Sequence, residues 1–278
     1  MSSLAGLLGQ PFLRYAFIAG AVIAAASGLT GYFVVLRSQV FTGDALSHVA
    51  FTGALAALAA GANLLIGLYG ACIVVALAMA ALGYRGQADD TVIGSVFAWI
   101  LGLGALFLSI YTTSTSNGTS GVNVLFGTIF GLSAAQAVTD SVVATCVCAA
   151  LILIARPLLF ATIDESVASA RRVPVRAIGT VFLGLVGVTA AAATQAVGAL
   201  LLLGLLAAPA GAAQRLTARP FRGLWLSAAI AIFSVWAGLV IAYAAPKVPP
   251  SFGILAVATA VYLIAIALTV NGKRTHDR

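Results

Sequence analysis

Asp44 and His48 stand four residues apart in Gly43-Asp44-Ala45-Leu46-Ser47-His48, ahead of an almost wholly apolar run from Val49 to Ala60. On a helix that spacing puts a carboxylate and an imidazole on one face, one turn apart. Ionisable side chains in an apolar helix are rare and mark pathways or sites. An oxygen and a nitrogen ligand together suit a divalent transition metal. The plainer reading is that Asp44 caps the helix by accepting from the amide near Ser47 while His48 bonds inside a bundle. One pair supplies only two ligands, and a two-fold dimer would double the set.

Two further groups of charged residues are candidates. Asp89-Asp90-Thr91 opens an apolar run, where acids suit a helix N-terminus through capping and the dipole; the functional reading is a cytoplasmic exit site for a cation. Asp164 to Arg176 is the longest charged segment between apolar runs. Within it, Asp164 and Glu165 open a stretch through Ala168 and Ala170 that closes with Arg171, Arg172 and Val173 before Pro174. Acids first and arginines last is the charge order of a short dipole-matched helix, and the residue before a proline avoids the helical region. Such a helix suits either a lipid-headgroup anchor or docking of a cytoplasmic partner.

These residues must be positioned by membrane helices. Of 278 residues 62% are hydrophobic and 8% charged, against about a quarter charged in a soluble domain. Apolar stretches of bilayer-crossing length recur from residue 12 to residue 270. The expected architecture is an all-α polytopic membrane protein, a single domain over 1–278, with nine spans near 12–36, 44–61, 63–83, 91–112, 134–155, 177–195, 197–214, 222–244 and 252–270. The sixth and seventh are one continuous apolar stretch, divided near Gln195 to Gly198 because it is too long for one crossing. Val124 to Leu132 is too short to span and is expected at the outer surface or partly re-entrant. The first run is too long for a signal peptide and has no cleavage site after it.

With nine spans, twelve of the fourteen Lys and Arg residues fall on one side and only Arg14 and Lys247 on the other. The positive-inside rule then places the N-terminus outside and the C-terminus in the cytoplasm. The net charge of +7 reflects cytoplasmic loops rather than nucleic-acid binding. Small residues four apart, Gly20-Ala24-Gly28, Gly53-Ala57-Gly61 and Gly94-Ala98-Gly102, are expected to pack the bundle. Cys72, Cys146 and Cys148 read as apolar packing residues. No nucleophile, phosphate loop or catalytic dyad is present, so no hydrolytic activity is expected of this chain.

Several segments together resemble one family, the membrane permease of bacterial ABC importers for zinc, manganese or iron. They are Val34-Val35-Leu36-Arg37 leading into Gly43 to His48, Asp90-Thr91-Val92-Ile93-Gly94, Leu125 to Gly131, and Thr194-Gln195-Ala196-Val197-Gly198 followed by Pro209-Ala210. The resemblance implies the compact helical fold of vitamin B12 and siderophore permeases. It implies a homodimer with two cytoplasmic ATPase subunits that use ATP, and an extracellular metal-binding protein. It also implies that Asp44 and His48 line the metal path and that a loop at about 160–176 couples to the ATPase. This chain departs at Arg172, where the family usually has glycine. A permease for a larger metal chelate, siderophore or haem, and a membrane-bound metallohydrolase using Asp44, His48 and Asp90, are the competing expectations.

Overall fold

The computed structural model describes residues 11–83, 90–114, 127, 129–199, 202–245 and 247–276. Among them are ten α-helices: α1 Pro11–Leu36, α2 Val40–Ala59, α3 Leu64–Leu82, α4 Asp90–Ser114, α5 Ala134–Ile163, α6 Glu165–Ala170, α7 Val175–Val197, α8 Leu202–Leu216, α9 Pro220–Ala244 and α10 Pro250–His276. A 3-10 turn at Ile129–Gly131 precedes α5.

Every expected span coincides with a helix, but seven of the helices are long and apolar enough to cross a bilayer. The two that are not are α2, which carries Asp44 and His48, and α8 with 15 residues. The polar residues of α2 lower its hydropathy, and packing against neighbours buries most of its length. Helix α5 extends beyond the expected end at 155 to Ile163, passing through Pro157. At 30 residues it measures about 45 Å, longer than a hydrocarbon core of about 30 Å.

Helix α1 lies at the centre of the bundle, against α5, α7, α8 and α9. Gly28 lets the α9 backbone at Ser227 and Ala228 approach, and Gly31 does the same for Leu206 of α8. The approach is sealed by polar contacts: Ser227 donates to the Gly28 carbonyl at 2.7 Å, and the Thr30 and Thr189 hydroxyls are 3.1 Å apart. Phe33 meets Phe182 edge to face at 6.1 Å. Gly53 of α2 and Gly67 of α3 cross with backbone against backbone. Lipid offers no hydrophobic drive between helices, so this small-residue packing with interhelical hydrogen bonds holds the bundle.

One small-residue stripe behaves otherwise. Gly94, Ala98 and Gly102 of α4 are all exposed, and the two glycines have no neighbour where a Cβ would stand. Among the described residues they pack no helix, because α4 meets the bundle along its opposite face, with Ile93, Ile100 and Gly104 buried.

The division of the long apolar stretch falls where expected. Helix α7 ends at Val197 and Gly198 leaves it at φ 97. Gly127, at φ 76, closes against the backbone of Ala196 to Gly198. Both glycines therefore meet a backbone requirement, left-handed φ at one and close approach at the other. Of the expected short element at 124–132, Val124 to Phe126 and Thr128 lie outside the described residues.

Candidate metal path

Asp44 does not cap its helix. Helix α2 begins at Val40 after Gln39, so Asp44 sits in its second turn, and Ser47 Oγ donates to the Asp44 main-chain carbonyl at 2.7 Å. The earlier start follows from the tight exit of α1. Ser38 adopts φ 56, its N–H donates to the Val35 carbonyl, and the Gln39 N–H donates to the Val34 carbonyl at 2.8 Å. Those paired bonds form a Schellman closure, and the chain re-enters a helix at once.

The corner places Asp44 deep rather than at a surface end. Gly43 meets Leu206 of α8. Cys72, midway along α3, donates its thiol to the Leu46 carbonyl at 3.4 Å. The first turns of α2 are therefore level with the middle of their neighbours. Span arithmetic alone puts the Asp44/His48 pair near a cytoplasmic end; the structure instead starts α2 inside the bundle, against the middle of α3.

Asp44 and His48 are both half-buried and share one face of α2, toward α4. The His48 ring meets Phe97 of α4 edge to face, 5.2 Å between centroids. Below it runs a cleft of about 330 Å³ lined by Phe41, Asp44, Asp90, Ile93, Gly94 and Phe97. Asp90, in the first turn of α4, is exposed and so stands at the mouth of the cleft. The structure thus brings Asp44 and Asp90 to one cleft, with His48 beside it against the lining residue Phe97; Asp89 lies outside the described residues. Among the described residues no group of three His, Cys, Asp or Glu side chains converges on a metal position. One chain offers a carboxylate and an imidazole in line, not a closed coordination shell.

The coupling segment forms the expected short helix. Asp164 caps α6 through its side chain, accepting from Val167 N at 2.9 Å and from the Ser166 hydroxyl at 2.7 Å. Ala168 is buried with Ala161 and Val175, joining α6 to the ends of α5 and α7. Glu165 begins the helix, while Ala170, Arg171 and Arg172 are exposed at its far end. Arg172 takes φ 60, with its N–H on the Ser169 carbonyl and the Val173 N–H on the Ala168 carbonyl, each at 3.0 Å. This is again a Schellman closure, with arginine at the left-handed position that glycine fills most easily. The end geometry survives the departure from glycine, and strain is its cost.

The sequence reading passed over a buried acid. Asp140 of α5 is fully buried; Tyr69 of α3 donates to its Oδ1 at 2.8 Å. The Gln195 amide of α7, with its nitrogen toward the carboxylate, donates to both oxygens at 3.2 and 3.3 Å. The available signal was a lone aspartate in an apolar run, seven residues after Ser133. It ties three helices together away from the Asp44 cleft.

The sequence matches the ABC 3 transport family over residues 9–269. The chain belongs to that family. It is 30% identical over 237 residues to the manganese transport system membrane protein MntC of Halalkalibacterium halodurans, covering 84% of this chain and 79% of that protein. It is 25% identical over 234 residues to a probable iron transport system membrane protein of Haemophilus influenzae, covering 84% of each. Among solved structures it resembles PsaBC from Streptococcus pneumoniae in complex with Fab, with a TM-score of 0.79, 26% identity, and coverage of 94% of this chain and 93% of that one. As a member of the ABC 3 transport family, the chain is an ABC transporter permease and a multi-pass membrane protein.

Proposed function

We propose that this chain is the permease of an ATP-driven importer for a divalent metal ion, with manganese the first candidate and zinc and iron(II) the others. The observation that carries the reading is the placement of Asp44 and His48 on one face of the deep-set α2, above a cleft that opens past Asp90. Manganese comes first because named relatives such as MntC carry that metal; a carboxylate with an imidazole accommodates all three ions.

Two copies of the chain would supply two Asp44/His48 pairs about a two-fold axis. The exposed Gly94-Ala98-Gly102 stripe supports this, since small residues four apart are the helix-contact pattern used in lipid and these have no partner among the described residues. An ion released from an extracellular binding protein would be held by Asp44 and His48, weakly enough to leave, and would exit past Asp90, with Asp89 beside it in sequence. Alternating access follows if ATPase subunits dock on α6, with Asp164, Glu165, Ala168, Ala170, Arg171, Arg172 and Val173 forming the coupling element, and tip the dimer between its two openings. The arginine bias puts α6 and the C-terminus in the cytoplasm and the N-terminus outside. ATP hydrolysis belongs to the partner subunit in this scheme.

Uptake of radioactive manganese and zinc into cells carrying the chain with its partner genes, wild type beside His48→Ala, tests the reading. One metal taken up by the wild type and lost in the variant supports both cargo and site. Uptake that survives His48→Ala moves the site elsewhere; no uptake of either metal, with expression verified, redirects the search to a chelate.

A further inference from the structure

The α1–α2 corner holds polar groups that the proposed ion path does not use. Nε and Nη1 of Arg37, both amide atoms of the Gln39 side chain and the Thr42 hydroxyl are buried without a hydrogen-bond partner among the described residues. Such atoms are uncommon in a native structure and call for an explanation. The Arg37 guanidinium lies over the Phe182 ring of α7, 5.3 Å from its centroid. Its other stabilising influence is the negative charge of Glu165, the first residue of α6. A guanidinium drawn into the protein is costly when its donors stay unpaired, and one ring with one carboxylate offsets only part of that cost.

The same corner decides where α2 begins, because Ser38 and Gln39 close α1 and launch the helix that bears Asp44. Arg37 therefore touches α7 through Phe182 and α2 through the turn it stands in, and it feels the charge of Glu165 on α6, the helix whose Ala168 packs against Val175 of the same α7. If α6 shifts, Glu165 moves relative to a charge that has few other partners. The corner must then follow, or Arg37 must re-pair with the acceptors Gln39 Oε1 and Thr42 Oγ1 that the same corner holds in reserve. An element with two such arrangements is what a transmitting joint requires.

We propose that Arg37 is a positioning residue that joins the ATPase-facing helix α6 to α2, so that movement of α6 is passed to Asp44 and His48. This rests on reading the chain as an importer permease. Arg37 does not itself bind the ion.

The test uses the complete transporter, permease with ATPase and binding protein, in proteoliposomes, with manganese uptake and ATP hydrolysis measured on the same samples. Arg37→Gln is expected to assemble and hydrolyse ATP while manganese moved per ATP falls at least about tenfold. Arg37→Lys, which keeps the charge but not the planar stack, should recover part of the ratio. The exchanged pair Arg37→Glu with Glu165→Arg should exceed the poorer single variant. A wild-type ratio in Arg37→Gln overturns the inference, as does an exchanged pair no better than the poorer single. Should Arg37→Gln fail to co-purify with the ATPase, Arg37→Lys and the exchange decide by the same criteria. A wild-type transporter that moves no manganese overturns the importer reading itself, a result distinct from a wild type that transports beside an unaffected Arg37 variant.

Discussion

The His48 ring stands edge-on to Phe97, with the two planes 76° apart and the centroids at 5.2 Å, joining α2 to α4 beside the cleft that Asp44 lines. An edge-to-face pair of this kind is worth about 0.5–1.5 kcal/mol beyond its buried area. Its larger consequence is to hold the imidazole in one plane beside the cleft, which lowers the entropic cost of using it as a ligand. Phe97→Leu keeps apolar volume but loses the aromatic face. The expected result is manganese uptake lowered up to about tenfold at equal expression, with assembly intact. Uptake equal to wild type would show that the orientation of His48 does not depend on the ring.

Asp44 and Asp90 share the cleft but differ in setting, and the difference predicts unequal effects. Asp44 is half-buried in the second turn of a deep helix, whereas Asp90 is exposed at the start of α4. Replacing Asp44 by Asn removes the carboxylate one helical turn from His48 and should abolish uptake. Asp90→Asn keeps the size of the side chain and removes one exposed charge at the mouth, so uptake should fall a few-fold at most. Initial rates for both variants over a range of manganese concentrations separate the two roles; equal and complete loss would place Asp90 in the binding step.

Much of this arrangement was legible in the sequence, and the parts that were not have physical reasons. Helix positions followed from apolar runs of bilayer length, and α6 followed from charge order and Pro174. The depth of α2 was not readable. It depends on a closure at Ser38, a residue without the glycine signature of left-handed turns, and on the match of Leu46 with the middle of α3. The role of the Gly94 stripe was misread because spacing shows that a face is small, not which helix covers it. Asp140 was missed because its partners Tyr69 and Gln195 come from distant helices, which no local pattern reveals.

Asp140 with Tyr69 gives a stability prediction separate from transport. Tyr69→Phe keeps the ring and removes the hydroxyl that donates to Oδ1, leaving a fully buried carboxylate with the Gln195 amide alone. An under-satisfied buried group costs about 1–3 kcal/mol. The variant should unfold at a lower temperature in detergent, and the molecules that remain folded should transport normally. An unchanged transition would mean that the Tyr69 bond contributes no net stability.

Arg172 carries a left-handed backbone at φ 60. For an L-residue that conformation costs about 1–2 kcal/mol, which glycine avoids. Arg172→Gly should therefore tighten the end of α6, slowing hydrogen exchange at Arg172 and Val173, whose amides close the Schellman motif. Arg172→Val adds β-branching at the same φ and should speed it. Slower exchange in the valine variant would contradict the strain argument.

Asp164 adds a pH dependence at the other end of the same helix. Its carboxylate is held below its ordinary pKa, first by the Val167 amide and then by the Ser166 hydroxyl. A group whose folded-state pKa is depressed stabilises the fold above its unfolded value, and the contribution is lost as pH falls through the folded value. Because Asp164 is exposed, solvent screens the effect, and it is confined to the first turn of α6. After correction for intrinsic exchange rates, protection of the Val167 amide should be constant near neutrality and decline only as pH drops below the usual carboxylate range. Asp164→Ala should show low protection without that decline. Asp164→Asn, which still accepts a hydrogen bond but carries no charge, should lie between the two and be flat with pH. A wild-type profile as flat as that of the asparagine variant would mean that the cap works through its geometry alone, with no contribution from the charge.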